Sequence, residues 1–100
     1  MQIVAVTDPM RLGFSRQAMI GVRVSGDTRV VADRLSEMPE VSYVVLSAGS
    51  FDILAEIVCE DDEALIELLN QKIRSVEGVA ATETFVYLQL KKQKYDWGTR

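Results

Sequence analysis

The sequence predicts an α+β fold of the ferredoxin-like type, a βαββαβ unit with a four-stranded antiparallel sheet and two helices on one face. The first reason is that segments with strand-like and helix-like apolar spacing follow in the order strand, helix, strand, strand, helix, strand. The second is the rule of right-handed crossovers, which leaves few other ways to connect these segments. The third is size, since 100 residues with 48% hydrophobic content suit one globular domain.

The first strand of the unit is predicted over residues 16–24, where every second residue is apolar. These alternating residues are Ala18, Ile20, Val22 and Val24. A shorter apolar run, residues 3–6, precedes this strand and ends before Pro9, which cannot donate a ladder hydrogen bond. We therefore expect a short N-terminal strand and a linker over residues 1–15.

Both helices have recognisable ends. Asp27 is a suitable N-cap for a first helix over residues 28–38, and Pro39 prevents its continuation. The acidic residues 61–63 lie where the second helix begins, next to the positive end of its dipole. Gly78 follows that helix as the expected C-terminal residue in the left-handed conformation.

The remaining strands are predicted over residues 41–48, 52–60 and 79–90. The turn between the first two, Ala48-Gly49-Ser50, is short enough to force antiparallel pairing, and a glycine or an asparagine is expected in so tight a turn. The folded domain is therefore assigned to residues 16–90, and residues 91–100 form a C-terminal tail.

Both faces of the predicted sheet carry apolar residues, because side chains of both orientations are apolar in the last three strands. Tyr43 and Val45 oppose Val44 and Leu46, Ile53 and Ile57 oppose Leu54 and Val58, and Phe85 and Tyr87 oppose Val86 and Leu88. Two helices cover only one face, so a second copy packed sheet to sheet, in a dimeric α/β-barrel assembly, is the simplest cover for the other. A helix from a missing N-terminal region is the alternative.

The composition argues against several functions. A net charge of −4 is opposite to the basic excess of a general nucleic-acid-binding surface. The chain has no histidine, and its one cysteine, Cys59, has no disulfide partner and is expected in the core. No apolar run approaches the roughly 20 residues of a membrane span, and the N-terminus does not resemble a signal peptide. We expect no catalytic residue, metal, cofactor or membrane contact, and a cytoplasmic setting.

Asp52 is unusual because a carboxylate opens a strand directly after a turn. One interpretation is structural: the side chain accepts backbone N–H groups near Gly49 and Ser50. The other is functional: the carboxylate faces the ammonium group of a small zwitterion, whose carboxylate is bound by N–H groups of the turn. Thr82, Glu83 and Thr84 would then add polar groups from the last strand. The spacing alone leaves both interpretations open.

The segment SAGSFDILAEIVCEDDEALIELLNQKIRSVEGVAATETFVYL resembles the C-terminal effector-binding domain of the leucine-responsive/asparagine-responsive (Lrp/AsnC) transcription regulators. The matching features are the Gly49-x-x-Asp52 turn, the Glu77-Gly78-Val79 break and the Thr82-x-Thr84 strand followed by Phe85-Val86. The upstream VAVTDPMRLGF is similar to the segment that joins this domain to the DNA-binding part of the family.

The resemblance implies a non-enzymatic domain over residues 16–90 that binds amino acids or related metabolites and forms dimers, often octamers. It places the effector near Gly49, Ser50, Phe51 and Asp52, with Thr82, Glu83 and Thr84 as further contacts. Phe51 stands where the family often has tyrosine, so a phenolic hydrogen bond is not expected. The helix-turn-helix of the family is absent from this sequence, so we expect the chain itself not to bind operator DNA.

The alternative is a small dimeric α/β-barrel enzyme, such as a cofactor-free monooxygenase. It would need a pocket between its helices and its sheet, lined by a group that transfers protons. Without histidine, the candidates for that group are Tyr43, Tyr87 and Trp97. An enclosed polar cavity under the helices, with none at the Gly49 turn, would favour this enzyme.

Overall fold

The computed structural model describes residues 16–93, which form an antiparallel four-stranded sheet with two helices on one face. The elements are β1 (Arg16–Val24), α1 (Thr28–Ser36), β2 (Val41–Leu46), β3 (Ile53–Cys59), α2 (Asp62–Glu67), which continues as a π-helical turn (Leu68–Ile73), and β4 (Val79–Val86). The strand order is β2-β3-β1-β4. The predicted ferredoxin-like βαββαβ fold is confirmed. The expected N-terminal strand, and most of the tail, lie outside the described residues.

The core lies between the sheet and the helices. Alternate residues of the two central strands are fully buried there: Ala18, Ile20 and Val22 on β1, and Ile53, Ala55 and Ile57 on β3. The helical layer contributes Val31, Leu35, Leu65, Leu68, Ile73 and Val76. This alternation is what a strand with one face on a core produces. Among residues 16–93, no helix is long and apolar enough to cross a membrane.

The predicted helix ends are formed as expected. The Asp27 carboxylate accepts the Arg29 N–H at 2.9 Å, and the Asp61 carboxylate accepts the Ala64 N–H at 2.9 Å. Gly78 has a φ of 102°, the left-handed region that favours glycine. The first helix ends at Ser36 rather than at residue 38. The N–H groups of Glu37 and Met38 donate to carbonyls three residues earlier, the pattern of a tightened last turn, just before Pro39.

The last strand is shorter than predicted, ending at Val86 instead of at residue 90. The Tyr87 N–H still donates a hydrogen bond to the Gln17 carbonyl of β1 at 2.9 Å. The next residue, Leu88, is 91% exposed, so its strand-forming side chain does not pack on the domain among the described residues.

The face of the sheet opposite the helices is termed the open face. The strand registers place twelve residues on it: Gln17, Met19, Gly21, Arg23, Tyr43, Val45, Leu54, Glu56, Val58, Ala81, Glu83 and Phe85. The prediction of apolar residues on both faces is correct for β2, β3 and β4. It overlooked four polar residues, Gln17, Arg23, Glu56 and Glu83, which divide the open face into an apolar centre and charged ends.

Candidate functional site

The turn that joins β2 and β3, residues 47–52, is fastened to the end of β1. The Asp52 N–H donates to the Val22 carbonyl at 2.9 Å, and the Asp52 carboxylate accepts the Val24 N–H at 2.8 Å. The Arg23 guanidinium donates to the Ser50 carbonyl. These hydrogen bonds hold an otherwise exposed turn in one position against the sheet.

The structure gives Asp52 a clear local role. Pairing of β1 with β3 ends at Val22 and Ile53, so the Val24 N–H lies beyond the last carbonyl that β3 offers. The half-buried Asp52 carboxylate takes the place of that carbonyl. The structural interpretation of Asp52 therefore needs a correction: the donor is a backbone N–H of β1, not one of the N–H groups near Gly49 and Ser50.

Gly49 is not required by the backbone of the turn. Its φ lies outside the left-handed region, and an added Cβ would approach only the Ser47 Oγ, at 3.7 Å. The expectation that so tight a turn needs a glycine or an asparagine is therefore wrong at this position. The Gly49 N–H donates to the Ser47 hydroxyl at 3.2 Å. Within residues 16–93, the N–H groups of Ser50 and Phe51 have no protein acceptor, so they are available to an external anion.

Phe51 lies on the open face, over Gly21. A Cβ on Gly21 would be 2.7 Å from the Phe51 ring, which is too close for any other residue type without movement of that ring. The ring also meets Phe85 edge to face, with 6.2 Å between ring centroids and an interplanar angle of 78°. Sequence reasoning did not identify Gly21, although a glycine inside a strand commonly marks a close approach.

The three candidate residues of the last strand do not share a face. Thr82 and Thr84 pair with Val22 and Ile20, so both hydroxyls belong to the helix-covered face and are half-buried. Glu83 pairs with Gly21 and is exposed on the open face. The structure therefore places Glu83 on the same face as Phe51, and it places the two threonines on the opposite, helix-covered face.

The opposite end of the open face carries a polar cluster. Gln17 donates a side-chain N–H to the Glu56 carboxylate at 2.9 Å. Burial, together with the nearby negative charge of Glu56, raises the pKa of Tyr87 to about 12. The phenol is therefore protonated at physiological pH and unsuited to act as the proton-accepting group of the alternative enzyme.

A cavity of about 360 Å³ lies at the same end of the sheet, between the end of β3 and α2. It is lined by Glu40, Val58, Cys59, Glu60, Ala64, Glu67, Leu68, Gln71 and Lys72. A hydrogen bond from Lys72 lowers the pKa of Glu40, and burial raises the pKa of the Cys59 thiol. A carboxylate held in an ion pair and a protonated thiol are weak catalytic groups. In the described part of the chain, no three metal-binding side chains come together.

The described residues thus form a sheet with one face free of helices and a turn held by hydrogen bonds against the end of β1. The chain belongs to the AsnC-type family of transcription regulators, because residues 14–100 match the family model described as a C-terminal dimeric alpha+beta barrel domain. The predicted family is thereby confirmed, and the family model describes its domain as dimeric.

Named relatives agree with this assignment. An uncharacterized HTH-type transcriptional regulator of Pyrococcus furiosus is 32% identical over 91% of this chain and 62% of its own length. The HTH-type transcriptional regulator FL11 of Pyrococcus horikoshii is 34% identical over 89% of this chain and 59% of its own length. This chain thus spans about 60% of the length of these relatives. They are named as regulators, in line with the prediction of a non-enzymatic domain.

Solved structures show the same fold. AsnC of E. coli superimposes with a TM-score of 0.83 at 24% identity, over 89% of this chain and 61% of that one. The transcriptional regulator NMB0573 of Neisseria meningitidis, solved as an L-Met complex, superimposes with a TM-score of 0.79 at 22% identity, over 92% of this chain and 62% of that one.

Proposed function

We propose that this chain is the effector-binding and oligomerisation domain of an Lrp/AsnC-type transcription regulator. In this proposal it binds a small amino-acid effector in the cytoplasm and alters transcription through ligand-dependent assembly of its copies, first into dimers and then into octamers. DNA contact comes from a helix-turn-helix domain, as the names of the relatives indicate. The proposal also includes the domain boundaries, with a strand and linker over residues 1–15, the effector-binding domain over residues 16–90 and a tail over residues 91–100.

The exposed apolar side chains of the open face support the pairing of two copies of the chain. This face exposes Tyr43 at 52%, Phe85 at 44% and Val45 at 36%, while both helices pack on the other face. Apolar area removed from water contributes about 25 cal/mol per Å². A second copy of the same chain would present the same open face, which suits a two-fold symmetric interface. The description of the family domain as dimeric supports this pairing.

The turn supports the proposed effector site. Gly49 leaves space without a conformational reason for glycine, and the N–H groups of Ser50 and Phe51 are available to an anion. Asp52 holds this turn against β1. A protein of the same fold solved with L-Met supports an amino acid as the class of effector. Binding by Thr82 and Thr84 would require a ligand that reaches the helix-covered face.

The test measures assembly and binding together. Sedimentation of the chain with and without each of a panel of amino acids should show a dimer that shifts to a larger species with at least one of them. Phe85→Glu places a charge on the open face and should yield monomers, whereas Val30→Glu, which changes an exposed apolar residue on α1, should leave the dimer intact.

Gly49→Ala tests the turn. An added methyl group fits the folded chain, so thermal stability should stay unchanged while binding of the effector weakens at least tenfold. A monomeric wild-type chain that responds to no amino acid would contradict the proposed function.

A further inference from the structure

We infer that the cavity between the end of β3 and α2 is a second binding site, and that it takes an aliphatic amine in its protonated form. The site is separate from the proposed effector turn. β3 begins next to that turn at Ile53 and ends at the cavity at Cys59, so a strand of seven residues, roughly 20 Å long, lies between the two. The inference goes beyond the proposed function and does not depend on it.

The cavity has room for a small molecule. Its volume of about 360 Å³ falls within the range of roughly 300–1,000 Å³ that small-molecule sites occupy. Most of its lining residues belong to α2 and the π-helical turn: Ala64, Glu67, Leu68, Gln71 and Lys72. The cavity therefore lies on the helix side of the sheet, away from the open face that a second copy would cover.

Glu40, which lines the cavity, has a carboxylate oxygen without a donor. Lys72 donates to Glu40 Oε2 at 2.9 Å, which holds the carboxylate in place. The Glu40 side chain as a whole is 32% exposed, but its Oε1 is buried and receives no hydrogen bond from residues 16–93. The bond from Lys72 lowers the pKa of Glu40, so the carboxylate is charged at neutral pH. A buried charged acceptor without a donor is unfavourable, and an N–H group of a ligand would satisfy it.

The charges around the cavity favour a cation. The lining includes three carboxylates, those of Glu40, Glu60 and Glu67, and a single ammonium group, that of Lys72, which is already paired with Glu40. Glu60 and Glu67 are exposed, and neither forms an ion pair within residues 16–93. A protonated amine would bring the positive charge that this lining lacks, whereas an anion would be repelled by the carboxylates.

The other walls of the cavity indicate what the rest of the ligand is. They are formed by residues with apolar or weakly polar side chains: Val58, Cys59, Ala64 and Leu68. Leu68 is 2% exposed and Cys59 is 6% exposed, so these walls belong to the packed core. Methylene groups of a ligand are favourable against such a surface. An alkyl chain with a terminal ammonium group has both the apolar part and the charge.

The helix beside the cavity has an uncommon geometry. α2 continues as a π-helical turn over Leu68–Ile73, and the Arg74 N–H donates to the Leu69 carbonyl, five residues earlier, at 2.9 Å. Such turns are rare and frequently lie at functional sites. This turn supplies Leu68, Gln71 and Lys72 to the lining, so the uncommon geometry coincides with the cavity.

The experiment follows the backbone amide signals of the isotopically labelled chain by NMR during titration with n-butylamine at neutral pH. The matched probes are 1-butanol, which is neutral, and butyrate, which is an anion. n-Butylamine should shift the amides that line the cavity and bind at least tenfold more tightly than either matched probe. Glu40→Gln keeps the size of the side chain and removes its charge, so it should weaken binding of n-butylamine at least about tenfold.

Glu63→Gln is the matched control, because Glu63 is an exposed carboxylate of α2 that does not line the cavity. It should bind n-butylamine as the wild type does. Ala64→Leu fills part of the cavity and should also weaken binding, which tests the need for room separately from the need for charge.

Equal weakening by Glu40→Gln and Glu63→Gln would mean that only general charge attraction acts, and the inference would be wrong. Unchanged binding in Ala64→Leu, shifts confined to residues 47–52, equal affinity for 1-butanol, or no binding of n-butylamine would also overturn it. None of these outcomes bears on the response of the chain to amino acids, so the proposed function and this inference fail separately.

Discussion

Asp52→Ala removes the acceptor of the Val24 N–H, and its effect on stability can be estimated from the structure. The lost contact is a charged hydrogen bond of 2.8 Å between a half-buried carboxylate and a backbone N–H. Hydrogen bonds to charged groups contribute about 1.5–3 kcal/mol. Because this site is only half-buried, water can reach part of the freed N–H, so we expect a loss of about 1–2 kcal/mol in the free energy of unfolding.

The assay is thermal and urea unfolding at a fixed protomer concentration, since pairing makes the apparent stability depend on concentration. A loss of this size corresponds to a fall in Tm of about 4–16 °C for a domain of this length. Asp52→Asn retains an acceptor oxygen without the charge and should lose less than Asp52→Ala. Glu77→Ala changes an exposed carboxylate and serves as the control.

The reasoning would be refuted if Asp52→Ala lost less than about 0.5 kcal/mol, the range usual for exposed positions. It would also be refuted if Asp52→Asn lost as much stability as Asp52→Ala, because the acceptor oxygen retained by asparagine would then contribute nothing to stability.

Two further predictions concern stability. Gly78→Ala should lose more stability than Gly26→Ala, by about 1 kcal/mol or more. Both glycines have a positive φ, but only at Gly78 would an added Cβ meet a neighbour, the Val31 side chain at 2.9 Å. Equal losses of the two variants in urea unfolding would contradict this prediction. Glu40→Gln should lose about 0.2–1 kcal/mol at neutral pH, because the Lys72 ion pair at 2.9 Å lowers the pKa of Glu40. This contribution is present above pH 4.5, the ordinary value, and disappears as the pH falls through the lowered pKa, so unfolding curves of wild type and variant should converge in acid and not at high pH.

Much of the fold could be predicted because its signals are local. A strand with one buried face shows an alternation of apolar residues, and a helix end shows its capping residue, so β1, Asp27 and Gly78 were all predictable. The end of β2 at Leu46 was not, because it depends on where its partner β3 begins, at Ile53.

The candidate site was predictable only in part, because its contacts join residues far apart in the chain. The turn at Gly49 could be located from its composition, but the partners of Asp52 and Ser50 lie on β1, 28 and 27 residues away. Period-two alternation separates Glu83 from the neighbouring threonines, yet only the register against β1 shows which face each one takes.

The sequence by itself determined the order of the elements, their caps and the apolar residues on both faces of the sheet, since each depends on residues close together in the chain. The tertiary structure alone decided that Arg23 meets the turn, that Phe51 covers Gly21 and that Asp52 completes the hydrogen bonding of β1. The physical reason is that strand register brings distant residues together, and one step of register moves every side chain to the other face.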